Sequence, residues 1–184
     1  MFCAKQQQNG NSELSIAVNL SFAQFEDGNL PQIVKGALET SQLAPEHLEL
    51  ELTESILADD NGNVIQQLEQ IKSLGVTFAI DDFGTGYSNL NYLRTFSAQK
   101  LKIDRIFINT LGFDEKDVPL VTAIISIAES LGMATVAEGI ENEAALKKIT
   151  EMGCDIGQGY YWSKPVPAEQ IERLIEAQSP TNQR

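Results

Sequence analysis

Residues 76–88 read Val-Thr-Phe-Ala-Ile-Asp-Asp-Phe-Gly-Thr-Gly-Tyr-Ser and form the most informative stretch of the chain. The apolar run predicts a buried strand, with Asp81 and Asp82 at its carboxyl end. Two adjacent carboxylates in such a place are costly unless a positive charge compensates them. A hard divalent cation is the natural compensation, because such ions bind oxygen ligands. The stretch therefore predicts a metal site at the end of a strand.

Apolar strand-like runs alternate along the whole chain with segments of helical spacing. The predicted strands are residues 15–20, 48–53, 76–80, 100–103, 133–137 and 155–161. This alternation predicts a parallel sheet with helices on its faces, either an open doubly wound sheet or a (β/α)₈ barrel. We expect one domain over residues 1–184, with residues 1–12 as the end of a preceding helix and residues 179–184 as a disordered tail.

Every predicted strand has a polar side chain at or near its carboxyl end. In chain order these are Asn19, Glu51, Asp81 with Asp82, Lys102, Glu138 and Gln158. Barrels collect functional groups from many strands at one mouth, whereas open sheets concentrate ligand contacts at a switch point. Contributions from all six units therefore favour the barrel. Glu49 has the same parity as Glu51 but lies deeper in its strand, so we assign it only to the polar face of that strand.

The residue types at the strand ends indicate the chemistry. One amide and four carboxylates supply oxygen ligands that suit Mg²⁺ or Mn²⁺. The sequence has no cluster of His and Cys, which argues against a structural zinc site. Lys102 among carboxylates can orient a water or hold a phosphate as a point charge. Two neighbouring metals activate water and clamp a phosphoryl group, so the predicted reaction class is metal-assisted phosphoester hydrolysis.

The chain is acidic, with 13 basic and 26 acidic residues and a formal net charge of −13. It lacks the basic surface that binding to polymeric nucleic acid needs, although bound cations still permit a small anionic nucleotide. No apolar stretch reaches the length of a membrane span, and the N-terminus is not a secretory signal. We therefore expect a bacterial cytoplasmic protein with no membrane segment.

Six motifs, in this order, resemble those of the EAL family, which comprises cyclic-di-GMP-specific phosphodiesterases and their inactive relatives. They are Val-Asn-Leu-Ser at 18–21, Glu-Leu-Thr-Glu at 51–54, the Asp-Asp-Phe-Gly-Thr-Gly-Tyr-Ser stretch, Leu-Lys-Ile-Asp at 101–104, Ala-Glu-Gly-Ile-Glu at 137–141 and Gln-Gly-Tyr at 158–160. The resemblance covers residues 15–175. It implies a TIM-like barrel that hydrolyses cyclic-di-GMP to linear pGpG with Mg²⁺ or Mn²⁺.

The resemblance also implies roles for individual residues. The implied metal ligands are Asn19, Glu51, Asp81, Asp82 and Glu138. Lys102 resembles the lysine near the attacking water, and Glu138 a catalytic carboxylate. Gln158 resembles a residue that lines the substrate site. Glu54 resembles the glutamate that anchors the loop beginning at Asp82. Phe83 and Gly84 belong to that loop, which the family links to dimerisation and to control of activity.

One departure from the family concerns the motif that gives it its name. No Glu-Ala-Leu triplet followed by Arg precedes Asn19, although in active relatives that glutamate binds metal and that arginine contacts substrate. Only 18 residues precede Asn19, and a full barrel takes about 250 residues. We therefore expect an incomplete, N-terminally truncated barrel of about six of eight β/α units. Exposed sheet edges invite pairing with another chain, so we expect a homo-oligomer or a swapped dimer.

The missing triplet leaves three functions open. The first is a cyclic-di-GMP phosphodiesterase domain whose activity is impaired in this form. The second is a catalytically inactive interaction module, and the third is a domain that binds cyclic-di-GMP without cutting it. The resemblance further suggests upstream sensor or GGDEF domains in a longer parent protein.

Overall fold

Six parallel strands form one sheet in the computed structural model, which describes residues 2–57, 62–84, 93–94 and 96–178. The strands are β1 Ile16–Leu20, β2 Leu48–Thr53, β3 Thr77–Phe83, β4 Lys100–Ile103, β5 Ala134–Ala137 and β6 Ile156–Gly157. Their order in the sheet is their order in the chain, from β1 to β6, and every neighbouring pair is parallel. Within these residues β1 and β6 are the two edges, so the sheet is not closed.

Helices connect the strands, as the alternating pattern predicts. They are α1 Phe2–Gln8, α2 Leu30–Ser41, α3 Glu54–Leu57, α4 Gly62–Lys72, α5 Arg105–Ile108, α6 Val118–Ser130, α7 Glu143–Glu151 and α8 Ala168–Gln178, with 3₁₀ turns at Phe22–Phe25 and Pro45–His47. Among the described residues, no helix is both long enough and apolar enough to span a bilayer. The predicted tail at 179–184 and residues 85–88 of the predicted loop lie outside the described part of the chain.

The core lies between the central strands and the helices that cover them. On α6, Val121, Ile124, Ile125 and Ala128 are all buried, and this i, i+3, i+4, i+7 spacing produces one apolar helix face. Leu101 and Ile103 of β4 are buried on the sheet side of the core. Because these residues alternate with Lys100 and Lys102 along the strand, the two lysines belong to the opposite face of the sheet.

Two strands differ by more than one residue from the sequence-based expectation. We predicted that the third strand would end before Asp81, but β3 continues to Phe83 through a register shift between Ile80 and Phe83. We also predicted a last strand over residues 155–161, whereas β6 contains only Ile156–Gly157. After β6, the Tyr161 N–H donates to the Ile140 carbonyl. This bond turns the chain back toward residue 140 and ends the strand early.

Candidate metal centre

The carboxyl ends of neighbouring strands bring the predicted polar residues together. Asn19 of β1 lies opposite Glu51 of β2 in the parallel register, and Asp81 follows on β3. Lys102 is part of β4, and Glu138 comes directly after β5. Because all the strands run in the same direction, their carboxyl ends meet along one edge of the sheet. Five side chains that are far apart in sequence therefore lie within one cluster.

Lys102 is the centre of this cluster. Its Nζ lies 2.8 Å from Glu51 Oε2, 3.1 Å from Asp81 Oδ1 and 2.7 Å from Glu138 Oε1. Lys102 is 3 % exposed, and Glu51 and Asp81 are each 8 % exposed. A buried ammonium is stable only with close charged partners, and here three strand ends supply them. The cluster is therefore a dense, largely desolvated charge network.

Burial and pairing have opposite effects on the ionisation of these groups. Burial alone would lower the pKa of Lys102, but hydrogen bonds with Glu138 and Glu51 outweigh it and raise that pKa above its usual value. Burial also raises the pKa of the Glu138 carboxyl, although the Lys102 charge opposes this effect. Lys102 therefore carries a fixed positive charge at neutral pH, and that charge holds the carboxylates in place.

The irregularity in β3 allows two consecutive carboxylates to share the site. Successive side chains of a regular strand point to opposite faces, so Asp81 and Asp82 would ordinarily diverge. Here the register shifts between Ile80 and Phe83, and Asp82 has a left-handed φ of 55°. Ligand oxygens of Asp81, Asp82 and Glu138 consequently lie within 4.8 Å of one another. Such a group of oxygens suits a hard divalent cation.

Asp104 is a residue of this site that we did not predict. Burial, the charge of Asp81 and a side-chain hydrogen bond with Asp104 raise the pKa of the Asp82 carboxyl. Asp104 also accepts a hydrogen bond from the Ile106 N–H at 2.7 Å, which caps α5. Its place directly after β4, in the motif Leu-Lys-Ile-Asp, is the pattern that would have identified it.

The Asn19 amide tests whether a cation fits the cluster. With its nitrogen toward the carboxylates, the amide donates to Glu51 Oε2 at 3.1 Å and to Asp81 Oδ2 at 3.2 Å. With the amide reversed, three oxygens converge, and only a cation between them makes this arrangement favourable. The donor set of carboxylates and one amide oxygen is the set that Mg²⁺ and Mn²⁺ prefer. The residues present therefore fit a divalent metal.

Gln158 lies apart from the charge network. It directly follows β6, and its side chain is exposed. Its backbone N–H donates to the Ala137 carbonyl at 2.9 Å, and its own carbonyl accepts from the Ile140 N–H at 3.0 Å. These two bonds fix Gln158 beside the β5 end that carries Glu138. Gln158 is thus at the same edge of the sheet but is not part of the carboxylate cluster.

The residues assigned to loop control lie beside β3. Phe83 ends β3 and is buried, and Gly84 follows with a φ of 94°. A Cβ atom at Gly84 would lie 3.1 Å from the Phe107 ring and 3.2 Å from Ile124 Cδ1, so both the conformation and the space favour glycine. Glu54 begins α3 and is buried, and neither carboxylate oxygen has a hydrogen-bond partner among the described residues.

Residues 2–165, which include every member of this cluster, match the EAL domain family. The chain belongs to that family. Over 162 residues it is 45% identical to the bifunctional diguanylate cyclase/cyclic di-GMP phosphodiesterase MucR of Pseudomonas aeruginosa. Over 168 residues it is 39% identical to the cyclic di-GMP phosphodiesterase NbdA of the same species. The matches cover 88% and 91% of this chain but only 24% and 22% of the two relatives.

Solved EAL structures have the same fold. The MucR phosphodiesterase in complex with c-di-GMP matches with a TM-score of 0.87 and 43% identity, covering 92% of this chain and 69% of that one. The EAL domain of Mycobacterium smegmatis DcpA matches with a TM-score of 0.88 and 33% identity, over 96% of this chain and 79% of that one. The manganese/c-di-GMP complex of Klebsiella pneumoniae BlrP1 matches with a TM-score of 0.79 and 25% identity, over 89% and 42%. The predicted TIM-like α/β class is confirmed, with the sheet open between β1 and β6.

Proposed function

We propose that this EAL domain hydrolyses cyclic-di-GMP to linear pGpG with a divalent metal, Mg²⁺ or Mn²⁺. The observation that carries the proposal is the contact of the Lys102 ammonium with carboxylates from three strand ends, all within 3.1 Å. A phosphodiester is an anion, so an acidic site needs cations to accept it. Relatives named as cyclic di-GMP phosphodiesterases support this choice of substrate.

The chain's own residues would hold the metals and organise the space beside them. Asn19, Glu51 and Asp81 would hold one ion, and Asp82 with Glu138 would hold a second beside it. When bound, such ions supply Lewis-acid activation of water and of the phosphoryl group. Lys102 would orient the attacking water and keep the carboxylates apart, because its ammonium already bridges them. Glu138, half-buried beside Lys102, would accept a hydrogen bond from that water.

Other side chains would act on substrate position and on the loop. Gln158, exposed beside the β5 end, would donate its amide to the bound nucleotide. Glu54 would anchor the segment that follows β3, because its buried carboxylate has no partner among the described residues and such a group favours any donor that reaches it. Phe83 and Gly84 would fix the start of that segment. These roles extend the proposal from the metal cluster to its surroundings.

Hydrolysis of cyclic-di-GMP by this chain with Mn²⁺, with products separated by chromatography, tests the proposal. We expect pGpG from the unmodified chain. Asp81→Asn should lower the rate by about a hundredfold or more, because it weakens the metal site. Glu39→Gln, which removes an exposed carboxylate paired with Lys35 on α2, is the matched control and should leave the rate unchanged.

Each other outcome has a distinct meaning. If folded protein binds cyclic-di-GMP by calorimetry with Ca²⁺ but forms no pGpG, the domain is a binding module. If it neither binds nor hydrolyses the nucleotide, the proposal is wrong and an interaction module takes its place. Equal rates for Asp81→Asn and the unmodified chain would exclude the carboxylate cluster as the active site.

We further propose that the domain works within a longer signalling protein and associates with a second copy of itself. The chain spans about a quarter of the length of the curated relatives, and one of these combines cyclase and phosphodiesterase functions in its name. At the β1 edge, a groove of about 500 Å³ opens between α1, α2 and β1. Ile16 and Val18 line that groove and are 41 % and 40 % exposed. This edge is the surface through which we expect a homo-oligomer or a swapped dimer.

A further inference from the structure

A second lysine–glutamate pair lies next to the metal centre on the same strands. Lys100 Nζ is 2.8 Å from Glu49 Oε2; the Glu49 side chain is 11 % exposed and the Lys100 side chain 32 % exposed. Glu49 precedes Glu51 by two residues on β2, and Lys100 precedes Lys102 by two residues on β4. Residues two apart on a strand share a face. The pair therefore lies on the face that carries the candidate metal ligands.

The strand register places a second carboxylate, that of Glu51, at the same level of the sheet as Lys100. Glu51 is opposite Ala79 of β3, and Ala79 is opposite Lys100 of β4. Only the small side chain of Ala79 separates Lys100 from Glu51 at that level. Even so, the Lys100 ammonium contacts Glu49, whereas Lys102 contacts Glu51. Each lysine thus pairs with a different glutamate.

This pairing matters because Lys100 and a metal ion would otherwise compete for Glu51. The Lys100 side chain is only 32 % exposed, so its ammonium would keep a charged partner if Glu49 were neutral. By strand register, Glu51 is the carboxylate at the level of Lys100, and it is a candidate metal ligand. Lys102 already contacts one oxygen of Glu51, Oε2, so a second ammonium would bind the oxygen that is left for a metal ion. With the Glu49 charge removed, Lys100 would therefore occupy Glu51, a ligand that the metal needs.

We propose that Glu49 is a positioning residue that holds Lys100 and so keeps Glu51 available to the metal and to Lys102. This inference rests on the proposed function, because it assumes that Glu51 is a metal ligand. It assigns to Glu49 a role that the alternating pattern of β2 does not suggest. It also explains why this face of the sheet carries a second ion pair where most barrels carry apolar layers.

A double-mutant cycle measured by Mn²⁺ affinity tests the inference. Isothermal titration calorimetry with Mn²⁺ alone compares the unmodified chain with Glu49→Gln, Lys100→Met and the double variant. We expect Glu49→Gln to weaken Mn²⁺ binding about tenfold, because the freed Lys100 moves to Glu51. Lys100→Met alone should change the affinity less than about twofold, and the double variant should regain it.

The non-additivity separates this mechanism from a general charge effect. If only net charge mattered, Lys100→Met would strengthen binding by as much as Glu49→Gln weakens it, and the cycle would be additive. An additive cycle overturns the inference. Should Lys100→Met fail to fold because Glu49 is left unpaired, Lys100→Gln replaces it, since the amide still donates to Glu49.

The remote pair Glu115–Lys148, at 3.1 Å, provides the matched control. Glu115→Gln and Glu115→Gln/Lys148→Met carry the same charge changes far from the site and should leave Mn²⁺ affinity unchanged. If the unmodified chain does not bind Mn²⁺ at all, the proposed function fails. If it binds Mn²⁺ but Glu49→Gln binds equally well, only this inference fails. The two failures are therefore distinguishable.

Discussion

At the scale of single residues, the left-handed backbone of Asp82 is the main local cost of the site. A φ of 55° at a residue with a Cβ atom is unfavourable by about 1–2 kcal/mol, although Asn and Asp adopt this conformation more readily than other residues. Its benefit is that Asp82 and Asp81 serve the same cluster. The backbone is therefore strained at the residue where this strain adds a second carboxylate, that of Asp82, to the candidate metal site.

Two substitutions of Asp82 test this conclusion. Asp82→Gly and Asp82→Ala both remove the charge and the side-chain hydrogen bond with Asp104, so their difference isolates the backbone preference. We expect Asp82→Ala to have a free energy of unfolding about 1 kcal/mol lower than Asp82→Gly, because alanine tolerates positive φ less well. Urea unfolding followed by circular dichroism measures this difference. Equal midpoints for the two variants would contradict the strained assignment.

The residue types of the site could be predicted from sequence, but their pairing could not. Asn19, Glu51, Asp81, Lys102 and Glu138 were expected because each lies at a strand end. The contacts of Asp82 with Asp104 and of Glu49 with Lys100 depend on a bulge and on strand register. Neither is encoded in the period-two pattern, since a shift of one residue reverses which face a side chain occupies.

At the scale of elements, Asp155 ties the last strand to the sheet. Its Oδ2 accepts hydrogen bonds from the Thr135 N–H at 2.7 Å and from the Thr135 hydroxyl at 2.8 Å. Those bonds from the Thr135 backbone and side chain lower the pKa of the Asp155 carboxyl below its usual value. Asp155 precedes β6 and Thr135 lies in β5, so this pair sets where the short strand begins.

The lowered pKa predicts a pH-dependent contribution to stability. A carboxyl whose folded-state pKa is depressed stabilises the fold above its unfolded pKa of about 4, and this contribution is lost as the pH falls through the folded value. We expect Asp155→Asn to lower the free energy of unfolding by about 0.5 kcal/mol at pH 7, a small value because the side chain is exposed. The difference should become smaller as the pH falls below that unfolded value.

Urea unfolding of both proteins at pH 7 and pH 3 measures this contribution. Thr135→Val supplies the matched background, because it removes the hydroxyl donor and should reduce the effect of Asp155→Asn at pH 7. A difference between the proteins that is larger at pH 3 than at pH 7 would be inconsistent with the assigned hydrogen bonds.

The positions of helices and strands were predictable where the hydrophobic periodicity is strong. They were not predictable where a single hydrogen bond determines the end of an element. The apolar face of α6 and the bounds of β2 follow from the pattern alone. The short β6 does not, because its end depends on the bond from Tyr161 to the Ile140 carbonyl. Gly159 adds to this effect, since a Cβ atom there would overlap the backbone of Ile140. Sequence periodicity contains no information about such close approaches.

At the scale of the whole molecule, the β1 edge predicts self-association. Unpaired backbone groups and exposed apolar side chains at a strand edge favour pairing with another chain. We expect the chain to sediment as a dimer or larger species whose population rises with concentration. Val18→Lys should shift it toward monomer, because a charge at the edge opposes pairing.

Ile106→Lys is the control for this experiment, since Ile106 is exposed but lies on α5 and outside the groove. It should leave the sedimentation profile unchanged. A strictly monomeric unmodified chain at all concentrations would show that the β1 edge does not mediate association.

The order of the strands also bears on how the protein is made. Because each strand pairs with its predecessor in the chain, the sheet can grow in the direction of synthesis as the polypeptide leaves the ribosome. Glu51 and Asp81 then emerge before Lys102, so two of the three carboxylates that the ammonium contacts precede it in the chain. We expect the ends of β2 and β3 to stay poorly ordered in the nascent chain until Lys102 has been synthesised. The Lys102 ammonium would then offset the repulsion between the Glu51 and Asp81 carboxylates and order the cluster.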